Sequence, residues 1–218
     1  ENLGDKEWAK KLYKKSEEKA EDSNEYRKLA DTVACINSVP GARRTVAGRL
    51  ISKELISKST PSKKKGGGYA PEAGDKDWAK ELYKKAEGKV DGCSDIITLA
   101  DSLCEYLGDK EWAKKVYEKA EDEAKKSSNY CSLADSLCEY LRDKEWAKKM
   151  YKKAEDVIDG TDPWSFYDFT GLAKGLCKHL GDKEWAKKHY KNALAGIQKI
   201  DHEEWQVKEL KEKLEELG

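Results

Sequence analysis

The sequence predicts an all-α protein, an α-solenoid of antiparallel helix pairs that ends in a capping helix. Three observations predict it. The first is repetition. The stretch Gly108–Glu121, GDKEWAKKVYEKAE, has close copies beginning at Gly4, Gly74 and Gly181, and another at Arg142, where arginine replaces the leading glycine. Their tryptophans, Trp8, Trp78, Trp112, Trp146 and Trp185, stand 70, 34, 34 and 39 residues apart, a spacing that marks a repeat architecture. The second is composition. With 39% charged and 38% hydrophobic residues, the chain is too polar for one central core but suits a stack in which each repeat buries a single stripe. The third is a helical period in the apolar residues of each copy.

The unit Asp95–Ala124 shows how each element arises. Ile96, Leu99, Ala100, Leu103, Cys104 and Leu107 follow the i, i+3, i+4, i+7 pattern of a buried helical stripe. Gly108 permits the chain reversal, and Asp109 is placed to cap the next helix. The second helix carries Trp112, Ala113, Val116, Tyr117 and Ala120 on one stripe. Glu111 precedes Lys115 by four residues, as Glu7 does Lys11, Glu145 does Lys149 and Glu184 does Lys188. Such pairs add about 0.2–0.5 kcal/mol each to helicity and do not decide the fold. Ala100, Ala113 and Ala120 are the small residues that let two helices approach closely.

At these residues the sequence resembles the tetratricopeptide repeat family. Ala113, Tyr117 and Ala120 match the two alanines and intervening aromatic of its second helix. Leu99-Ala100 matches the Leu-Gly of its first helix, and Gly108-Asp109 its interhelix turn. One extra residue lies between Ala100 and Gly108 and the closing proline is missing, so the related Sel1-like repeats are an alternative. The resemblance implies a right-handed superhelix with the first helices lining the concave side.

Taken in order along residues 1–218, the array begins inside a repeat at Glu1, and further residues are expected upstream. A second helix spans Lys6–Glu21 and a first helix runs from Ser23 to about Ile36. The repeat is lost from Ser38 to Glu72, so 38–73 reads as a degenerate repeat. Within it VAGRLISKEL, from Val46, aligns with WAKKLYKKAE as a decayed second helix over roughly 42–58. An inserted foreign segment is the alternative origin. Residues 59–73, with three glycines, two prolines and three lysines, read as a flexible basic loop. No first helix survives between the decayed copy and the second helix predicted from Lys76 to Val90. Two regular units follow, to about Ile158. The last unit has a longer lead-in, TDPWSFYDF, with Asp162-Pro163 as a helix start. Residues 201–218 form the cap, with Trp205, Val207, Leu210, Leu214 and Leu217 on its apolar side.

Forty-three basic residues balance 43 acidic ones, so no global field marks a nucleic-acid binder. No apolar run is long enough for a membrane span, and no stretch of these residues reads as a signal peptide. The six cysteines form no CxxC. Cys104, Cys138 and Cys177 share one position, held by Ala34 in an earlier copy, and read as buried reduced thiols; disulfides are the competing reading. Reduced thiols favour a cytoplasmic setting. His179 and His189 replace packing residues, and His202 opens the cap helix, so no catalytic, metal or cofactor site is expected. Gly66-Gly67-Gly68 lacks the GK[ST] of a phosphate loop.

Two features stand out. Asp31, Asp101 and Asp135 share a slot on the first helices, with Glu105 and Glu139 four residues beyond the last two and Lys174 and Lys178 in the final copy. By resemblance these positions face the concave groove, where an acidic stripe would prefer a basic peptide. A solvated helix face is the plainer reading. The other feature is basic: Arg43, Arg44, Arg49, Lys53, Lys58, Lys63, Lys64 and Lys65 against Glu54. The expected function is a non-enzymatic scaffold for a protein or peptide, with self-association through repeat faces. The alternatives are a nucleic-acid-associated adaptor acting through residues 40–68, and a regulatory arm of a larger enzyme.

Overall fold

Every regular element among the described residues is a helix, as the repeated period requires. The computed structural model describes residues 14–35, 74–198 and 204–218. Expectations that fall on 1–13, 36–73 and 199–203 lie outside the described residues; they include the decayed copy at Val46, the basic loop and His202.

After helical residues 14–19 come α1 (Ser23–Cys35), α2 (Gly74–Glu87), α3 (Cys93–Ser102), α4 (Lys110–Glu123), α5 (Ser127–Ser136), α6 (Lys144–Asp156), α7 (Phe166–Gly175), α8 (Lys183–Ile197) and α9 (Glu204–Glu216). Two units are distinguished. One comprises residues up to Asp91 with Thr98–Ala113; the other comprises Gly92–Ile97 with Lys114–Gly218. In the first, α1 packs on α2 and both meet the turn that follows α3. In the second, α5 packs on α6 and on α7, α7 on α8, and α8 on α9.

The predicted second-helix stripe is the core. Ala79 and Ala86, Ala113 and Ala120, Ala147 and Ala154, and Ala186 and Ala193 are all fully buried, with Tyr83, Tyr117, Tyr151 and Tyr190 between them. Three of the second helices, α4, α6 and α8, begin on an aspartate cap. The carboxylates of Asp109, Asp143 and Asp182 accept hydrogen bonds from the backbone N–H of Trp112, Trp146 and Trp185, at 3.1, 2.9 and 3.0 Å.

The first helices end differently. Leu103–Leu107, Leu137–Leu141 and Leu176–Leu180 are π-helical turns, closed by the N–H of Gly108, Arg142 and Gly181 on the carbonyls of Leu103, Leu137 and Leu176. A π turn is how an α-helix houses a residue too many. It accounts for the extra residue between Ala100 and Gly108. It also corrects the expected stripe. Leu99, Ala100 and Leu103 are buried, but the wider turn slips the helical phase, and Cys104 and Leu107 are only half-buried. Cys138 and Cys177 behave alike, so these three thiols are not core residues as expected; like Cys93 and Cys131 they are in no disulfide.

Two further expectations change. The helix that begins at Gly74 is not without a first-helix partner, because α1 packs against it. Residues 36–73 therefore stand, in sequence, where Gly108 and Arg142 make a short turn in later copies. In α9, Leu210 is buried and Val207, Leu214 and Leu217 are half-buried, but Trp205 is exposed at the start of the helix. Among the described residues, no helix is long and apolar enough to cross a membrane.

Candidate functional site: the charged faces of the helix pairs

The shared aspartate slot is not a row of solvated carboxylates. In the first unit Asp31 is only 7% exposed. The Tyr83 hydroxyl donates to its Oδ1 at 2.7 Å, and Arg27 donates to its Oδ2 at 2.9 Å. Arg27 also reaches the Ser102 hydroxyl at 3.2 Å. Burial holds the Asp31 carboxyl above the usual range, although Tyr83 and Arg27 pull the other way.

In the second unit Tyr151 donates to Asp135 Oδ1 at 2.5 Å. Here Cys131 stands at the position of Arg27, and Gly175 at that of Ser102. Without that cation and hydroxyl, Asp135 keeps 45% of its side chain exposed; a buried carboxylate needs partners. His179 is a further polar neighbour, its Nε2 3.7 Å away. A Cβ on Gly175 would sit 2.8 Å from Tyr151 Cε1 and 2.9 Å from Asp135 Oδ1, so glycine is what lets α7 close on this pair. Burial, then the charge of Asp135, pushes the Cys131 thiol up to about 12, which keeps it protonated and unreactive at neutral pH.

Of the other groove candidates, Glu105, Glu139 and Lys178 are exposed, and Asp101 is half-buried. Lys174 is held by Glu209 of α9 at 3.1 Å. The basic candidates Arg43, Arg44, Arg49, Lys63, Lys64 and Lys65 lie outside the described residues.

A second polar system links successive second helices. The residue nine after each repeat tryptophan is Glu17, Glu87, Glu121 and Glu155, and Leu194 in the last copy. Glu17 accepts from Trp78 Nε1 at 3.0 Å and from Lys85. Glu87 accepts from Trp112 Nε1 at 2.9 Å. Glu121 accepts from Trp146 Nε1 at 2.7 Å and Lys153 at 2.6 Å. Burial would raise these acids, but the ammonium and indole donors outweigh it and hold Glu17 and Glu121 below the ordinary value. Sequence reading missed this ladder. Its signal was a glutamate kept at one position beside an indole N–H that needs an acceptor. The ladder also redirects a lysine: Lys188 bonds Glu155 at 2.6 Å, across helices, although Glu184 was its expected partner.

The last interface departs from the pattern. His189, at the position of Val116 and Met150, has no exposed surface and lies against Phe169. Among the described residues neither of its ring nitrogens has a hydrogen-bond partner, and Nε2 is 3.5 Å from Glu155. Against the burial that would raise it, hydrogen bonds from Lys188 and Lys152 draw Glu155 down to about 2. Among the described residues, no three His, Cys, Asp or Glu side chains converge as a metal ion would require.

Comparison with protein-family models, with curated proteins and with solved structures finds no match for the chain.

Proposed function

We propose that the chain is a non-enzymatic interaction module, a right-handed α-solenoid of tetratricopeptide or Sel1-like helix pairs whose first-helix surface receives a basic peptide of a partner protein. The observation that carries the reading is recurrence. The polar clusters repeat at equivalent positions, Tyr83 on Asp31 and Tyr151 on Asp135, Trp78 on Glu17 and Trp146 on Glu121. Reaction centres are single constellations of distinct groups. A bond that recurs from one copy to another instead holds helices at fixed spacing, which is what a preformed binding surface needs.

The same bonding narrows the surface. Asp31 is spent inside the first unit, and Lys174 is tied to Glu209. Glu105 and Glu139, at matching places in their π turns, stay exposed. Each is a carboxylate open to a partner's lysine or arginine. Isothermal titration of the full chain against a lysine-rich peptide and a glutamate-rich peptide tests this. The lysine-rich peptide should bind, and Glu105→Gln with Glu139→Gln should weaken it. Equal affinity for both peptides, or for neither, removes the reading.

A further inference from the structure

The lead-in to α7 is unlike the rest of the described residues. Among the described residues the large apolar side chains most open to water are Val157, Trp164, Tyr167 and Trp205, and three of them lie between 157 and 167. Trp164 is 59% exposed and Tyr167 57%. Their rings are near-parallel, with 3° between planes and centroids 6.4 Å apart. Beneath them Phe166 is buried, its ring 3.9 Å from that of Tyr167 and 6.5 Å from that of Trp164. The pair is thus backed by a buried ring.

The repeat does not need these rings. Counting back from the matching Leu172 and Leu133, the same positions in the preceding first helix hold Lys125 and Ser128, both exposed. Two large aromatics have replaced solvated residues at a surface. Exposed aromatic area of this kind marks contact sites, because it costs solubility without adding to the core.

The charge around the rings says what kind of contact. From residue 154 to 173 there is no lysine or arginine, although the chain has 43 in 218 residues. Five acids fall in that stretch. Glu155 and Asp156 are met by Lys152, at 2.9 and 3.1 Å. Among the described residues the other three, Asp159, Asp162 and Asp168, have no such cation. Asp159 accepts from Thr161 and Asp162 from the Trp164 N–H, bonds that fix geometry without cancelling charge. Asp168 follows Tyr167 and is four residues from Trp164. Burial, and then the charge of Asp162, hold its carboxyl above the usual value, as an unbalanced negative site would.

We infer that the Trp164–Tyr167 face, with Asp162 and Asp168 beside it, is a docking site for an arginine side chain in a basic segment of a partner protein. A guanidinium is planar, stacks on an aromatic face, and offers N–H groups at its edge to a carboxylate. Lysine, a compact and strongly hydrated charge, uses such a face less well. The inference does not depend on the first-helix surface, which uses different residues.

The test is titration of the full chain with an acetylated, amidated Gly-Arg-Gly-Arg-Gly peptide and with its citrulline counterpart, which keeps the shape and removes the charge. Saturable binding of the arginine peptide is expected, lost with citrulline. Trp164→Ala with Tyr167→Ser should weaken it on the order of tenfold, Asp168→Asn by about threefold, and ~0.5 M salt should weaken it further. Both rings are solvent-exposed and serine already stands at the matching position of α5, so the helical circular dichroism should not change. Asp168→Asn, read alone, serves if the double variant proves unstable. Absent binding, citrulline bound equally, or affinity untouched by these variants overturns the inference. Loss confined to Glu105→Gln with Glu139→Gln would place the peptide on the first-helix surface and overturn this site alone. Sedimentation showing a dimer that the double variant dissolves would make a second copy the occupant, and would equally overturn it.

Discussion

Tyr83 donates a 2.7 Å hydrogen bond to Asp31 across 52 residues of sequence, and the carboxylate that receives it is buried. This bond ties α2 to α1 even though residues 36–73 intervene. Tyr83→Phe leaves Asp31 short of a donor in a site with little water. A loss of about 1–3 kcal/mol in urea unfolding is expected, the cost of an unsatisfied buried acceptor. An unchanged midpoint would mean that α1 and α2 are not joined through this pair.

Gly175 is the close-approach residue of α7. Because a Cβ there would meet the ring and hydroxyl of Tyr151, which is itself buried, the clash is not relieved by a flexible chain end. Gly175→Ala should destabilise by roughly 1–3 kcal/mol through overpacking, despite alanine's better helix propensity. Thermal melting reads the outcome, and a raised melting temperature would contradict the contact.

The Trp146–Glu121 bond can be isolated from its neighbours by a double-mutant cycle. Trp146→Phe and Glu121→Gln should each cost stability, and their coupling should be about 0.5–1.5 kcal/mol. Purely additive losses would reduce the ladder to a packing coincidence. Lys153 remains in all four proteins, so its contact with Glu121 does not enter the Trp146→Phe arm alone.

Arg142 holds a left-handed backbone at φ 60, where the equivalent Gly108 and Gly181 have φ 70 and 68. A side chain in that region costs roughly 1–2 kcal/mol, and glycine returns part of the gain by loosening the unfolded chain. Arg142→Gly should therefore raise stability by about 0.5–1 kcal/mol. Gly108→Ala should lower it. Chemical denaturation of the two variants side by side gives the sign directly.

His189 makes stability depend on pH. Burial lowers its pKa, opposed by Glu155 and aided by the charges of Lys188 and Lys152. The unfolded chain then binds a proton more readily than the native one, so stability falls as pH drops below the unfolded histidine value of about 6.5. Further down, Glu155, depressed to about 2, loses its contribution as pH falls from the ordinary carboxylate range toward that value. His189→Met, the residue that Met150 supplies at the same position, should abolish the first phase and leave the second. Unfolding curves between about pH 7 and 5 that stay parallel for both proteins would refute the assignment.

Sequence alone determined what depends on near neighbours. The helical period, the aspartate caps, the alanines spaced seven apart with tyrosine between, and the helix start at Asp162 all lie within a turn or two of their partners. All are found as expected. The extra residue before Gly108 was visible too, but whether it would make a loop or a wider turn was not. Tertiary structure decided which helix meets which, and what each charged group does. Asp31 and Asp135 occupy the same slot and look alike in sequence. One is buried because Arg27 and Ser102 reach it, and the other stays half in water because cysteine and glycine stand in their places. Glu121 could equally have been a solvated face until Trp146 and Lys153 were brought against it. A carboxylate's free energy is set by water or by donors within about 3 Å, and those donors come from helices that proximity along the chain cannot specify.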